Sequence, residues 1–190
     1  MPAGKSSPTG EPFLVRTIWQ LDHPVDELRV VLRDPLAITQ WWAPVFLHAE
    51  TVDEGDSERA GYAMRCFTKG FLPHSFQFVA RIANVDQDRL VIETEGDFDG
   101  VGTIALASTG PGTEAEVTWS VSVTQPYLRP FLKVFKPVFV WNHRWAMRQG
   151  QKGLARLMQD RTVGEREFRP AAPTFPHNLK WFRTPQRWRI

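Results

Sequence analysis

The side chains best suited to chemistry in this chain are a few polar groups set among aromatic residues. Asn142 and His143 interrupt an aromatic-rich stretch, and Trp119 stands in an alternating stretch before it. An amide or an imidazole in such surroundings can hydrogen-bond the oxygens of a ligand, and an indole can stack on a planar ring. The combination is typical of a pocket that takes an aromatic or otherwise apolar small molecule.

Helical spacing ranks the polar candidates. Steps of three or four residues lead from Phe135 through Phe139 to Asn142 and Trp145, which favours Asn142 as the residue that faces a sheet. His143 lies about 100° further round the helix and is expected nearer to solvent. No catalytic residue is assigned. The predicted ligand-binding residues are Trp41, Trp42, His48, Tyr62, Met64, Phe76, Phe78, Trp119, Phe135, Phe139, Asn142 and Trp145.

Three ionisable residues bear on whether such a pocket catalyses a reaction. His48 has the same parity as Phe46 and Glu50 in a predicted strand and is an inward candidate. Arg65 and Arg81 alternate with apolar residues, so we expect both to face solvent, unless a β-bulge reverses the phase of their strands. An enzyme needs at least one such group within reach of its substrate.

Other chemistries find no support in the sequence. The single Cys66 excludes an internal disulfide framework and a cysteine-based zinc site. No HExxH motif, phosphate-binding glycine loop or nucleophile elbow is present, so neither a metal nor a cofactor is predicted. The carboxylates of Glu93, Glu95, Asp97 and Asp99 are expected on a solvated outer face rather than in a site.

Hydrophobic periodicity predicts the elements that position these side chains. Alternation predicts strands and 3.6-residue spacing predicts helices. Short links between strands indicate an antiparallel sheet. The predicted strands are 13–21, 45–52, 61–69, 75–85, 89–95, 101–108 and 115–123, and the predicted helices are 25–32, 34–42 and 126–161.

The long helix 126–161 is apolar on more than one face, which is typical of a buried helix. The sheet is the only element available to bury it, and one helix gripped by a curved sheet leaves a cavity between the two. Pro137 is expected to kink this helix, Gly153 to weaken it and Gly164 to end it.

The chain divides into three segments. Residues 1–12 read as a flexible leader, 13–161 as one α+β domain, and 162–190 as a basic aromatic tail. The first residues have no apolar signal core and no apolar run is long enough to span a bilayer, so we expect a cytoplasmic protein. We favour a tail that folds back over the domain. Contact of residues 165–190 with a membrane surface is the first alternative, and binding to nucleic acid the weaker one.

The order of elements and several short motifs resemble the START-like, or Bet v 1-like (SRPBCC), helix-grip superfamily, in particular its polyketide cyclase/dehydrase and lipid-transport branch. The resemblance implies a curved antiparallel sheet of about seven strands wrapped on a long C-terminal helix, with two short helices after the first strand. The motifs that carry it are Leu21-Asp22-His23-Pro24, Leu32-Arg33-Asp34-Pro35, Trp41-Trp42, Gly112-Thr113 with Val117-Thr118-Trp119, and Gln151-Lys152-Gly153-Leu154 with Leu157.

The resemblance leaves three functions open. One is a binding module for a lipid, a quinone or a polyketide-like molecule. The second is a cyclase or dehydratase acting on a ketone-bearing substrate. In such cyclases an inward arginine acts with a tryptophan and an asparagine, and Trp119 and Asn142 match the latter two. His48 or Arg65 would supply an acid–base group. The third is an interaction protein whose cavity is filled by its own side chains.

Overall fold

A computed structural model describes residues 13–124, 136–163 and 168–189 of the 190-residue chain. The order of elements is that of the predicted α+β fold. The strands are β1 (Phe13–Leu21), β2 (Phe46–Asp53), β3 (Ala63–Lys69), β4 (Ser75–Val85), β5 (Arg89–Gly96), β6 (Phe98–Ser108) and β7 (Thr113–Val123). The helices are α1 (Val25–Leu32), α2 (Ile38–Trp41) and α3 (Lys136–Val163), with 3-10 turns at Pro35–Ala37 and Lys180–Phe182.

The seven strands form one curved antiparallel sheet in the order β1-β7-β6-β5-β4-β3-β2. Each strand therefore pairs with its neighbour in sequence, except β1, which closes against β7. On β1 every second residue is shielded, because its alternating side chains place one face against α3 and the other in solvent. We call the face covered by α3 the inner face of the sheet and the opposite one the outer face.

The short helices are fixed at their ends by local contacts. Asp34 accepts a hydrogen bond from the backbone N–H of Leu36 and so caps the 3-10 turn, which Pro35 begins. Arg29 of α1 pairs with Asp88 in the β4–β5 turn, which ties α1 to the sheet. These contacts fix α1 and the turn that leads into α2, whose last residue enters the core.

A cluster of three tryptophans closes one end of the space between sheet and helix. The rings of Trp41 and Trp42 stack with their centroids 5.2 Å apart, and Trp19 meets them edge-on at 6.3 and 5.4 Å. Trp42 Nε1 donates to the carbonyl oxygen of Ala146 at 2.8 Å, which fixes α2 to α3. Leu154 and neighbouring residues in the second half of α3 complete this core.

The helix α3 continues through Gly153 to Val163. A Cβ atom at Gly153 would lie 1.6 Å from the carbonyl oxygen of Trp41, so the glycine allows α2 and α3 to touch. Pro137 is the second described residue of α3, so the expected kink falls at the boundary of the described residues. The predicted start of the helix at residue 126 and its predicted stop at Gly164 lie outside the described residues.

Residues 168–189, which we call the strap, lie across the outer face of β3 and β4. The buried Lys69 donates to the carbonyl oxygens of Thr174 and Phe175 at 2.9 and 3.0 Å. Burial lowers the pKa of Lys69 to about 8, so the amine stays largely protonated at neutral pH. The far end of the strap is also attached to the sheet, because the N–H of Arg189 donates to the side-chain oxygen of Gln77 in β4 at 2.8 Å. The described tail therefore folds back on the domain.

Candidate functional site

Side-chain burial on the inner face of β1 increases along the strand, from Phe13 to Leu21. Trp19 and Leu21, near its C-terminus, are buried, whereas Phe13, Val15 and Thr17 on the same inner face are only half-buried. The tryptophan cluster covers the first pair. The inner face therefore opens towards the start of β1.

The neighbouring strand β7 shows the same gradient. Ala115 and Val117 are buried on its inner face, whereas Trp119 and Val121 are half-buried, although β7 lies between β1 and β6. An inner-face side chain of an internal strand stays accessible only where the covering helix stands away from the sheet. The first turns of α3 thus leave part of this surface uncovered, and a cleft lies between them and the neighbouring strand β1.

The cleft has a volume of about 690 Å³, within the range of about 300–1,000 Å³ that is typical of small-molecule sites. It lies along the edge of β1 that faces away from β7, because residues from both faces of that strand border it. Its lining residues are Phe13, Leu14, Val15, Arg16, Thr17, Ile18, Val140 and Arg144.

Trp119 is held flat against the inner face by the strand beside it. Gly102 of β6 is its register partner, and a Cβ atom there would lie 2.5 to 2.8 Å from the indole carbons. The glycine therefore makes room for the ring. An indole that lies flat and half-buried offers its free surface to a planar ligand.

His143 lies on the side of α3 that faces β1. It follows Val140 by one helical turn and adjoins Arg144, the two helix residues that line the cleft. Its ring meets the ring of Phe13 edge-on at 6.3 Å. Within the described part of the chain its Nε2 is buried and has no hydrogen-bond partner. A buried nitrogen without a partner is costly, and a ligand oxygen that reached it would remove that cost.

Burial lowers the pKa of His143 to about 4, so the imidazole is neutral at pH 7. The pKa of His177 under the strap also falls to about 4, through burial and then the charge of Lys69. Between pH 6.5 and 4 the unfolded chain would protonate these histidines while the folded chain would not. Above pH ~6.5 these histidines therefore do not lower the free energy of unfolding. As the pH falls below that value, the free energy of unfolding decreases.

We expect each of these histidines to add at most ~1.4 kcal/mol per pH unit to that decrease. Denaturant unfolding of the wild type, His143→Phe and His177→Phe between pH 7 and 4 measures it. Each single variant should show a shallower decrease, and the double variant the shallowest. An unaltered slope in His143→Phe would contradict the burial of this imidazole.

The other side of α3 contacts the β3–β4 turn. Asn142 accepts a hydrogen bond from the N–H of Leu72 at 3.1 Å, and its amide lies where a Cβ atom of Gly70 would be. Trp145 packs against Phe71 with ring centroids 5.6 Å apart. The amide of Asn142 thus has a structural partner, and the sequence reasoning missed His143 because aromatic residues on all sides hide the rotation of the helix.

The structure places the remaining predicted residues in three groups. Trp41, Trp42, Tyr62 and Met64 belong to the closed core, and the Tyr62 hydroxyl lies 2.9 Å from that of Thr51. Phe76 and Phe78 are buried on the inner face and pack on Phe98, with centroids 4.4 and 5.7 Å away. Phe139 is half-buried on α3, and Phe135 lies outside the described residues.

His48 lies on the outer face, so the structure does not bring it to the cleft. A register shift between Phe46 and His48 adds one residue to β2: Phe46 pairs with Thr68 on the inner face, and His48 with Phe67 on the outer face. Such a bulge reverses the side-chain parity that the sequence reasoning assumed. The His48 ring lies 6.1 Å from that of Trp188 in the strap.

The two arginines face outwards, as their alternation predicts. Arg65 pairs with Glu50 at 2.9 Å and lies under the ring of Trp188. Arg81 pairs with Asp53 at 3.3 Å. The exposed Glu93 is the register partner of Arg81 and shares its outer face.

The inner face offers little other ionisable chemistry. Cys66 is fully buried in the core, and burial raises the pKa of its thiol. Among residues 13–124, 136–163 and 168–189, no three His, Cys, Asp or Glu side chains are placed to hold a metal ion. His143 is a half-buried titratable side chain next to the cleft lining, which itself includes the exposed guanidinium groups of Arg16 and Arg144.

Solved structures with the same architecture confirm the fold that the resemblance implies. A START superfamily protein from Mycobacterium smegmatis has a TM-score of 0.57 at 16% identity over 73% of this chain and 96% of its own. The ZhuI aromatase/cyclase of Streptomyces sp. R1128 has a TM-score of 0.61 at 10% identity, over 82% of this chain and 99% of its own. Norcoclaurine synthase of Thalictrum flavum has a TM-score of 0.56 at 15% identity, over 80% of this chain and 96% of its own. It was solved as a point mutant with a transition-state analogue.

No protein-family model matches the chain, and no curated protein matches it by sequence. Identities this low show a shared fold rather than a shared reaction. These three proteins share one fold but differ in chemistry. The function of this chain must therefore be inferred from the residues around its cleft.

Proposed function

Because the chain has the helix-grip fold of START-like and Bet v 1-like proteins, we propose that it binds an apolar, largely aromatic small molecule between the sheet and the first turns of α3. The observation that supports this most strongly is the half-buried inner surface around Trp119 and Thr17, which leaves apolar area accessible inside the fold. Burying such a surface under a ligand is favourable by about 25 cal/mol per Å².

A neutral imidazole at the cleft suits binding better than proton transfer. A pKa of about 4 at His143 is far below neutral pH, and a general base works best with a pKa near the working pH. A neutral imidazole can still donate or accept one hydrogen bond. We therefore infer a ligand with at least one oxygen, a phenol, a quinone or a polyketide-like carbonyl, which His143 positions.

A cyclase or dehydratase is the second hypothesis. The resemblance implies an inward arginine beside a tryptophan and an asparagine for that reaction. Arg65 and Arg81 face outwards, and the amide oxygen of Asn142 is held by Leu72. Arg144 borders the cleft but is exposed, so the described inner face lacks a buried inward arginine, and this supports a carrier or receptor over a catalyst of that kind.

Competition between two ligands that differ by one hydroxyl tests the proposal. N-phenyl-1-naphthylamine would serve as a fluorescent probe, displaced by 1-naphthol or by naphthalene. We expect the wild type to prefer naphthol by up to about tenfold, the value of one hydrogen bond. In His143→Phe that preference should vanish while naphthalene binds as before.

The same variant should be as stable as the wild type or more stable. Replacing a buried nitrogen that has no partner among the described residues by a ring carbon removes a desolvation penalty. A purely structural role for His143 would give the opposite pattern, a loss of stability with equal selectivity. Failure of every probe to bind the wild type would refute the proposal itself.

The helices within the described residues lack a stretch apolar and long enough to cross a bilayer. Peripheral membrane contact of the tail 165–190 and a cytoplasmic location remain proposals. The exposed side chains of the strap support the former.

A further inference from the structure

The strap presents an unusual group of large apolar side chains to solvent. Phe175 and Trp181 are 71% and 87% exposed, and Leu179 and Phe182 are 47% and 45% exposed. All four lie within one short stretch, residues 175–183, which we call the aromatic turn. Large apolar side chains gathered in this way on a surface mark a site of interaction.

The aromatic turn is held in place from beneath. The side chain of Arg183 donates to the carbonyl oxygen of His177 at 3.1 Å, and the N–H of Phe182 donates to that of Leu179 at 3.2 Å. His177 itself is buried against Phe67 of β3, with ring centroids 5.8 Å apart. The exposed rings are thus presented by an ordered turn, which lowers the entropic cost of binding.

The positive charge of the strap favours a negatively charged partner. Residues 168–190 contain five Lys and Arg residues and no Asp or Glu. The whole chain carries +2, so the other residues together carry −3. Of the five, Arg189 pairs with Asp97 at 3.1 Å, while Arg169, Lys180 and Arg187 are exposed. Lys180 and Arg183 lie within the aromatic turn itself, and the strap as a whole is basic.

We propose that the aromatic turn docks this protein on an anionic lipid surface. Tryptophan and phenylalanine rings bury into the boundary between headgroups and acyl chains, while lysine and arginine reach the phosphates. Each cation near an anionic leaflet strengthens binding by about fivefold. A nucleic acid would need a wider basic surface than one turn on a body of opposite charge. The docking surface lies on the outer face, so it does not depend on a ligand in the cleft.

Sedimentation with lipid vesicles tests the docking surface directly. The full chain would be mixed with vesicles of phosphatidylcholine alone, or with one third phosphatidylglycerol. We expect binding to the anionic vesicles that weakens as salt is added. Lys180→Glu should weaken it by more than about tenfold, because it reverses one charge. Trp181→Ala with Phe182→Ala should weaken it by at least about tenfold, because the inserted rings are lost.

Lys152→Glu is the matched control, an exposed lysine on α3 across the sheet from the strap. It should bind anionic vesicles as the wild type does. All the altered side chains are exposed, and equal unfolding midpoints would verify the fold. Equal binding to neutral and anionic vesicles, equal losses in both lysine variants, or binding to single-stranded RNA without binding to vesicles would each overturn the proposal. The test contains no cleft ligand, so its failure is separate from that of the proposed binding function.

Discussion

Gly153→Ala should lower the free energy of unfolding by ~3 kcal/mol or more. In an open helix this substitution would stabilise the protein by up to ~1 kcal/mol, because alanine is the better helix former. Here the added methyl group would lie 1.6 Å from the backbone oxygen of Trp41. A backbone atom cannot rotate away, so α2 must leave α3, and the tryptophan cluster must open with it.

Gly150→Ala provides the graded comparison. Its methyl group would meet the ring of Trp42 at 2.6 Å and that of Trp19 at 3.0 Å. Rings can shift by a few tenths of an ångström, so we expect a smaller loss of stability than at Gly153. Denaturant unfolding of the wild type and the two variants measures the order. A gain of stability in Gly153→Ala would contradict the contact between α2 and α3.

Thr17→Trp should abolish binding of N-phenyl-1-naphthylamine, with a loss of affinity of at least about a hundredfold. Thr17 lies on the half-buried inner face of β1 and lines the cleft. An indole there would occupy space that the probe needs, and the apolar contacts of a bound aromatic ring are worth several kilocalories per mole, about 25 cal/mol for each Å² buried. Fluorescence titration of the variant gives the affinity directly.

Thr103→Trp is the control, since it adds the same volume to the outer face. Thr103 of β6 pairs with Thr118 and Val91 on the side of the sheet opposite to the cleft. The affinity of this variant for the probe should lie within about twofold of that of the wild type. Surface substitutions usually change free energies by no more than ~0.5 kcal/mol, which corresponds to about that factor. Equal affinity in the wild type and Thr17→Trp would place the ligand site elsewhere.

Local patterns predicted most of the fold. Alternation in β1 and β4 gave their bounds, Phe13–Leu21 and Ser75–Val85, as the structure has them. It also put Trp119 on the inner face, because the parity of β7 is unbroken. Strand parity depends only on neighbouring residues, and so it can be read from one chain.

Sequence patterns could not predict the features that depend on residues distant along the chain. The bulge that turns His48 outwards is a matter of register with β3. The rotation of α3 that turns His143 towards β1 is set by the contact of Asn142 with the β3–β4 turn. Likewise, nothing next to Gly153 in the sequence reveals the carbonyl of Trp41. Each of these contacts joins residues that fold together only in three dimensions.

Native mass spectrometry of the protein purified from cells that make it, followed by extraction of whatever is bound, tests the central claim most directly. The proposed function predicts a second species, heavier by one small molecule. On extraction this molecule should prove to be a lipid, a quinone or a polyketide-like aromatic compound carrying an oxygen. A single unliganded mass that persists after incubation with such compounds would contradict it, and would favour a domain whose space is filled by its own side chains.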